Sequence, residues 1–234
     1  MSDTEEIAKA IQKTAELGEK SLEVANKAGT FFAKVFKEPI NEISGMITDK
    51  LRFIRWKRLV QMADEVNQIL ENKKINSTRA VPPKIALPII EEATLEEDPI
   101  IQKLWNNLLA NAMNPTYNDE LRYGFIEMIK NITGIEATLL NQFYNVLQTG
   151  NQLAPISNIY NYSLSKDKLI KILNISIDVY AISVNNLMRL QLLSPAVYKS
   201  QSASIGNEPM TIYKGIDAVT MTPLGVKFVE ACLR

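Results

Sequence analysis

The chain has no histidine and a single cysteine, Cys232. Histidine is the commonest general base near neutral pH and the commonest metal ligand, so its absence excludes Ser-His-Asp and Cys-His nucleophile systems and His-Glu-x-x-His metal sites. A single cysteine excludes an intrachain disulfide and a zinc cluster built from cysteines. We therefore interpret Cys232 as a small apolar residue in preference to a reactive thiol.

Glycine is also scarce, with nine residues, and neither GxGxxG nor GxxxxGK[ST] occurs. The corresponding nucleotide-binding loops are thereby excluded. Lysine and arginine number 26, as do aspartate and glutamate, so the net charge is zero. A protein coated in nucleic acid needs a basic surplus, although a local basic patch remains compatible with this balance. We predict no catalytic residue, no metal and no cofactor, and hence a protein that is not an enzyme.

Targeting signals are missing as well. The first residues carry acids where a signal peptide has bases. No run approaches the ~18–20 uncharged apolar residues that a membrane-spanning helix needs. These observations predict a cytoplasmic protein, with membrane association on activation as a further candidate.

What the chain does contain predicts a real core, because 46% of its 234 residues are hydrophobic. We predict a mainly α protein with N-terminal amphipathic helices, a central helical bundle and a C-terminal winged-helix-like α+β subdomain with a small β-hairpin. The predicted divisions are an N-terminal helical segment over 1–75, a central domain over 76–150 and the winged-helix-like part over 151–234.

Apolar residues at near-helical spacing predict helices over residues 4–37 and 40–72. Two interpretations compete for residues 20–60. The favoured one is a helical hairpin packed on the rest of the protein or on a second copy. The other is a surface that contacts a membrane or phosphates, because aromatic and basic side chains are interleaved there. The candidate contact residues are Phe31, Phe32, Phe36, Lys50, Arg52, Arg55, Trp56, Lys57 and Arg58.

The segment 72–88 is predicted to be a linker with extended backbone before each proline, and a short helix is predicted from Ile89. Acids surround that helix, and they are Glu91, Glu92, Glu96, Glu97 and Asp98. Paired carboxylates can serve as a catalytic site. Acids at the entrance of a helix are more often caps and dipole partners, and we favour that interpretation.

Asp98 followed by Pro99 predicts a helix start, with an N-cap and then proline at the first position. The buried stripe of this helix is predicted to be Ile101, Leu104, Trp105, Leu108, Leu109 and Ala112. Asn114-Pro115 is predicted to end it. Thr133-Gly134 is predicted to end the next helix, and a further helix is predicted from Glu136 to near Gly150. Candidate partner contacts in the stripe helix are Asn106, Asn107 and Asn111.

The amino-acid sequence of this region resembles the sequences of a known family. It runs from a Val81-Pro-Pro segment through Glu97-Asp-Pro and Leu104-Trp-x-x-Leu-Leu-Ala-Asn-Ala-Met to Phe125-Ile-Glu-Met-Ile-Lys-Asn-Ile-Thr and Glu136-Ala-x-Leu-Leu. The resemblance is to the abortive-infection alpha family, the domain of unknown function 4393 proteins of bacteria. It covers residues 80–147 well and the flanks loosely. It implies a cytoplasmic, largely helical bacterial protein linked to phage resistance, and it provides no catalytic residue to transfer.

The C-terminal part predicts helices over 165–173 and 178–192, a turn at 206–209 and two short strands, Thr211 to Tyr213 and Ala218 to Met221. Thr222-Pro223 is predicted to begin a final helix. This order resembles the winged-helix arrangement, whose second helix often reads DNA. Here that helix offers only Asn185, Asn186 and Arg189. One base is too few for a DNA reader, so a protein-packing role is favoured.

Together these features predict a non-catalytic antiphage protein that acts through protein–protein interaction or oligomerisation, with the N-terminal helices as a candidate membrane effector. The expected partner is a second copy or a phage or host component, and nucleic acid is less favoured. One alternative is a winged-helix nucleic-acid-binding regulator. The weakest is a carboxylate-based enzyme such as a nuclease.

Overall fold

The structure, a computed structural model, describes residues 50–119, 122–149, 152–153, 156–205, 208–213 and 215–234, together with Glu16 and Glu19, which are helical and exposed. For residues 50–53 only the helical backbone is described. The rest of the predicted helix over 4–37, with Phe31, Phe32 and Phe36, lies outside the described residues. The chain divides into two compact units, up to Ile126 and from Glu127 onward.

The described residues of the first unit include the helices α1 (Lys50–Asn72), α2 (Pro83–Ala93) and α3 (Pro99–Met113). Helix α1 packs against α3 and α2, and α2 packs against α3. Helix α4 (Tyr123–Lys130) follows. The predicted stripe of α3 is buried along its whole length. The burial of apolar surface where three helices meet is therefore the main stabilising contribution in this unit.

The predicted start of α3 is confirmed. Asp98 Oδ1 accepts hydrogen bonds from the backbone N–H of Ile100 at 2.7 Å and of Ile101 at 3.4 Å. Pro99 takes the first helical position, where its missing N–H costs no hydrogen bond. The local sequence thus fixes where this helix begins.

The linker prediction is wrong from Pro83 onward, because α2 begins there and continues through Pro88. Pro83 lies in the first turn, where proline fits a helix. Pro88 removes one hydrogen-bond donor from the helix interior. The helix persists because it buries Ala86, Ile89 and Ala93.

The prediction that Thr133-Gly134 ends a helix is also wrong. Thr133 is instead the N-cap of helix α5 (Gly134–Leu147). The N–H of Glu136 donates to Thr133 Oγ1 at 3.4 Å, and the N–H of Thr133 donates to Glu136 Oε2 at 2.7 Å. This reciprocal pair is a capping box, which satisfies two backbone donors at the start of a helix.

The second unit begins within α4 at Glu127, and from α5 onward short strands alternate with helices. Its further elements are β1 (Gln148–Thr149), β2 (Gln152–Leu153), a 3₁₀ turn (Ile156–Asn161), β3 (Ser163–Ser165), α6 (Lys166–Leu173), α7 (Ile177–Arg189), β4 (Leu193–Pro195), β5 (Val197–Ile205), β6 (Glu208–Tyr213), β7 (Ala218–Met221) and α8 (Pro223–Cys232). Helix α5 contacts α6, α7, α8 and β7.

Three of the strands form an antiparallel sheet in the order β3-β7-β4. Strands β5 and β6 form a separate hairpin. The predicted strands Thr211 to Tyr213 and Ala218 to Met221 are both present, but they do not pair with each other. Residues 211–213 pair with β5, whose Ser-rich sequence gives no alternating signal, while β7 pairs with β3 and β4.

The prediction of a mainly α chain with a small hairpin is confirmed. The division into 1–75, 76–150 and 151–234 stays a prediction.

The start of α8 lies very close to the loop that follows α7. Thr222 Oγ1 donates to the carbonyl of Gln191 at 2.6 Å and accepts from the N–H of Gly225 at 2.9 Å. The N–H of Thr222 donates to the carbonyl of Leu192 at 3.1 Å. A Cβ on Gly225 would lie 2.2 Å from the Leu192 carbonyl oxygen. Glycine is therefore required by this backbone approach.

Cys232 is fully buried at the end of α8, and burial raises the pKa of its thiol well above the usual value. We expect the native protein to resist a disulfide reagent such as dithionitrobenzoate, because the thiolate is the reactive form. Labelling should begin only at the urea concentration that unfolds the second unit. Reaction within minutes in buffer, while circular dichroism shows a folded chain, would contradict this burial.

Candidate functional site: a polar cleft and two helix-end networks

A polar cleft of about 240 Å³ lies on the first unit, between α1 and the start of α3. Charges of both signs line it, together with amides and one methionine. Its lining residues are Arg58, Gln61, Met62, Glu65, Glu96, Glu97, Pro99, Gln102 and Lys103.

The floor of the cleft is a chain of hydrogen bonds that joins α1 to α3. Gln61 donates to one oxygen of Glu65 at 2.9 Å, and Asn106 donates to the other. Gln102 donates to Asn106 Oδ1 at 3.2 Å. Asn106 is only 1% exposed. Its side chain is therefore occupied in joining two helices, and the prediction that it meets a partner does not fit its burial.

The mouth of the cleft is formed by an ion pair between Arg58 Nη2 and Glu97 Oε1 at 3.0 Å. Arg58 also donates to the carbonyl of Thr94, and Arg55 donates to Thr94 Oγ1, both at 3.4 Å. The Glu97 side chain is 85% exposed, so the pair contributes little to stability. The two arginines hold the loop that follows α2.

The other residues of α1 that were predicted to contact a membrane or phosphates differ in how exposed they are. Trp56 is 5% exposed and belongs to the core, so it is not displayed to a membrane. Lys57 is exposed. Lys50 and Arg52 are described by their backbone alone. The predicted basic and aromatic surface is therefore not brought together among the described residues.

The predicted acids serve as local caps. Glu96 Oε1 accepts the backbone N–H groups of Glu97 and Asp98, each at 2.8 Å. Asp98 caps α3, and Glu97 pairs with Arg58. Glu91 is exposed and Glu92 half-buried. Within the described ranges no three acidic or thiol side chains converge on a point that would hold a metal ion.

A second network closes the C-terminal end of α3. Arg79 Nε donates to the carbonyl of Ala112 at 2.8 Å, and its Nη2 donates to the carbonyl of Asn111 at 3.4 Å. The backbone N–H of Arg79 donates to the carbonyl of Met113 at 2.8 Å. Lys73 donates to Asn111 Oδ1 at 2.7 Å, and desolvation lowers the pKa of that lysine. Two cations thus lie at the negative end of the helix dipole.

The hydrogen bonds at this end of α3 also bear on whether the other predicted partner contacts are accessible. Asn111 is 1% exposed and accepts from Lys73, so a partner cannot reach it in this conformation. Asn107 is half-buried and donates to the carbonyl of Lys103 in its own helix at 2.9 Å. Of the three predicted asparagines, Asn107 alone is accessible.

Replacing Arg79 with alanine is expected to lower the free energy of unfolding of the first unit by about 1 kcal/mol, because two charge-assisted hydrogen bonds to helix-end carbonyls are lost. Both tryptophans, Trp56 and Trp105, lie in this unit, so urea unfolding followed by their fluorescence measures the change. Lys103→Ala removes an exposed cation from α3 itself and should change stability by less than about 0.5 kcal/mol. Equal losses in both variants would contradict the capping role.

A third network, in the second unit, surrounds the start of α5. Asn186 Nδ2 donates to the carbonyl of Asn131 at 2.7 Å and to Glu136 Oε1 at 3.0 Å. Arg189 donates to Asn186 Oδ1 through Nε at 3.1 Å and through Nη2 at 2.8 Å. Glu136 is 3% exposed, so these hydrogen bonds compensate a buried carboxylate. Two of the three predicted DNA-reading side chains are engaged within the chain.

Three ionisable side chains of the second unit have a pKa that is raised further above 7. Burial raises the pKa of Tyr180 to about 12, with a contribution from the nearby Asp217 charge. The Tyr180 hydroxyl donates to the carbonyl of Ile216 at 2.7 Å. Burial also raises the pKa of Tyr144, and the hydrogen bond to Asp217 raises that of Lys166. None of these three shifts brings a pKa toward 7.

Sequence reasoning missed Glu65, Arg79 and Glu136 as network members. The Thr-x-x-Glu pattern from Thr133 to Glu136 was a readable signal of a capping box. The contacts of Glu65 and Arg79 with α3 gave no local signal, because Asn106 and Ala112 lie 41 and 33 residues further along the chain.

No helix of the described residues combines the length and the apolar composition needed to cross a membrane. No curated protein and no solved structure matches the chain. A family model described as abortive infection alpha matches residues 55–232. That match begins within α1 and extends to the end of α8, and it agrees with the family resemblance found in the sequence of 80–147. The chain belongs to the abortive infection alpha family.

Proposed function

We propose that the chain is a non-catalytic antiphage protein that acts by protein–protein contact or self-association. The family match over 55–232 carries the proposal. Two features support it. The acids Glu96, Glu97 and Asp98 bind the chain's own backbone and Arg58. Catalytic chemistry is not needed to explain any of the three networks, because each joins helices or closes a helix end.

Expression during phage infection tests the proposal. The wild-type chain should reduce phage yield relative to cells that carry an empty vector. The N-terminal effector is tested by removing residues 1–49 only, because α1 supplies Trp56, Met62 and Val66 to the core and must be kept. The truncated chain should keep the cooperative urea transition of Trp56 and Trp105, which shows that the first unit is still folded, and it should lose protection. Undiminished phage yield with the full chain would overturn the proposal, and full protection by the truncated chain would overturn the N-terminal role.

Membrane action is the candidate form of that N-terminal role. It predicts that infected cells which express the full chain lose membrane potential before they lyse, as measured with a potential-sensitive dye. Cells that express the truncated chain should keep their potential. An unchanged potential together with phage protection would leave protein contact as the mechanism.

A nucleic-acid-binding regulator is the second candidate. The element order from α5 to β7, with the strand order β3-β7-β4 and the hairpin β5-β6 before the last strand, is typical of a winged helix. The engagement of Asn186 and Arg189 with each other weighs against base reading by α7. A salt-sensitive shift of duplex DNA by the purified chain would favour this candidate, and no shift at low salt would exclude it.

A further inference from the structure

Helix α7 presents a stripe of four exposed side chains: Asp178, Ile182, Asn185 and Arg189. Their spacing of four, three and four residues places them on one face of the helix. Ile182 is 71% exposed, more than any other large apolar side chain in the described part of the chain. A single exposed isoleucine is common on a protein surface, so the charges on either side of Ile182 are what distinguish this face.

The charges of this stripe are self-complementary. Asp178 lies in the first turn of α7 and Arg189 in the last. They are separated by a rise of about 16.5 Å, at 1.5 Å per residue. If a second copy of α7 runs antiparallel across this face, each Asp178 meets the Arg189 of the other copy. Each Ile182 then lies beside the two-fold axis, next to the other copy's Asn185.

Arg189 is held in place for such a contact. Its Nε and Nη2 donate to Asn186 Oδ1, and Asn186 is itself anchored to Asn131 and Glu136. A guanidinium has five N–H donors, so three remain for a carboxylate. Because its orientation is already fixed, Arg189 loses less side-chain entropy on binding than a free surface arginine.

We propose that the stripe of α7 binds the same stripe of a second copy, antiparallel and about a two-fold axis. A two-fold interface uses one patch twice, and the acid–apolar–base order of this face fits that requirement. The inference deepens the proposed function, on which it rests, by naming the partner as another copy of the chain. The same face is poorly suited to DNA, because Asp178 repels phosphates and Ile182 offers no hydrogen bond to a base edge.

The mass of the full chain in solution, measured by light scattering at tens of micromolar protein, gives the first test. The wild type should be dimeric. Ile182→Glu should weaken the dimer by at least about tenfold in Kd, because it places two carboxylates at the axis. Leu87→Glu is the matched control, since Leu87 is 58% exposed but lies on α2 in the first unit. It should leave the mass unchanged.

A charge swap gives the second and sharper test. Asp178→Arg alone and Arg189→Glu alone each place like charges opposite one another, so each variant should be monomeric. A one-to-one mixture of the two should form a heterodimer, because both pairs are then opposite in sign. A variant that had merely lost stability would not be restored by mixing, and the circular dichroism of each variant confirms that it is folded.

Three results would overturn the dimer: a monomeric wild type, a dimer that none of these variants weakens, or a mixture that stays monomeric. Phage protection is scored separately in the same strains. A monomeric wild type that still protects overturns the dimer and leaves the proposed function in place. If each charge-swap variant is monomeric and their mixture is dimeric, the interface is established. If the wild-type chain then gives no phage protection, the proposed function is overturned.

Discussion

Replacing Gly225 with alanine is expected to lower the free energy of unfolding of the second unit by about 3 kcal/mol, at the upper end of what overpacking costs. The added Cβ would lie 2.2 Å from the Leu192 carbonyl oxygen and 2.9 Å from Met221 Cγ. The methionine can move, but the carbonyl is backbone and is already bound by the N–H of Thr222 at 3.1 Å. Relief of the clash therefore requires α8 to move away from the loop after α7, which breaks the Thr222 cap.

Reactivity of Cys232 toward dithionitrobenzoate in a urea series measures this loss, because Cys232 is the single cysteine and lies at the end of α8. Gly124→Ala is the control for an added methyl group, and tryptophan fluorescence measures it because Gly124 lies in the first unit. Nothing lies within 4 Å of its added Cβ, so alanine should be neutral or stabilising by up to about 1 kcal/mol. Unchanged thiol protection in Gly225→Ala would contradict the close backbone approach.

Trp105→Ala is expected to lower the free energy of unfolding of the first unit by about 3–5 kcal/mol, the usual cost of deleting a fully buried large aromatic side chain. Trp105 is 1% exposed, on the same helix as the fully buried Leu104, Leu108 and Leu109. The cavity left behind would lie between packed helices that can collapse only in part. Since Trp56 remains, its fluorescence in urea still measures the unfolding of this unit.

Two variants test the cause of that loss. Asn107→Ala changes a half-buried neighbour on the same helix and should cost less than about 0.5 kcal/mol. Trp105→Phe should cost clearly less than alanine, because it keeps much of the ring. It also removes an indole N–H that has no hydrogen-bond partner among the described residues. A phenylalanine variant as unstable as the alanine variant would show that shape, and not buried volume, governs this position.

The parts of the fold that sequence reasoning predicted are those with local causes. Asp98-Pro99 and Thr222-Pro223 each cap a helix through atoms two or three residues away, and the α3 stripe follows from helical periodicity. The errors arose where tertiary packing or strand pairing overrode a local sequence preference. Pro88 stays within α2 because the helix buries one face. Strand β5 forms from a polar sequence because β6 pairs with it.

The networks were harder to predict than the fold. Glu96 and Asp98 were correctly favoured as caps, because a cap acts within a few residues, whereas the side chain of Glu97 pairs with the distant Arg58. The role of Asn106 could not be read from its neighbours, since Glu65 reaches it from another helix. Asn186 and Arg189 were weighed only as groups facing outward. Their bonds to each other and to Glu136 depend on how α7 packs against α5.

The position of β7 in its sheet has a consequence for how the chain assembles during synthesis. Strand β7 lies between β3 and β4, so neither of those earlier strands has a sheet partner until residues 218–221 have been made. Translation adds about 5–20 residues per second, and β3 therefore waits several seconds for a partner encoded some 55 positions later. The contacts among α1, α2 and α3 need no residue beyond Met113. The packing of α1, α2 and α3 can thus form before residues 218–221 are made, whereas the sheet of the second unit must wait for them.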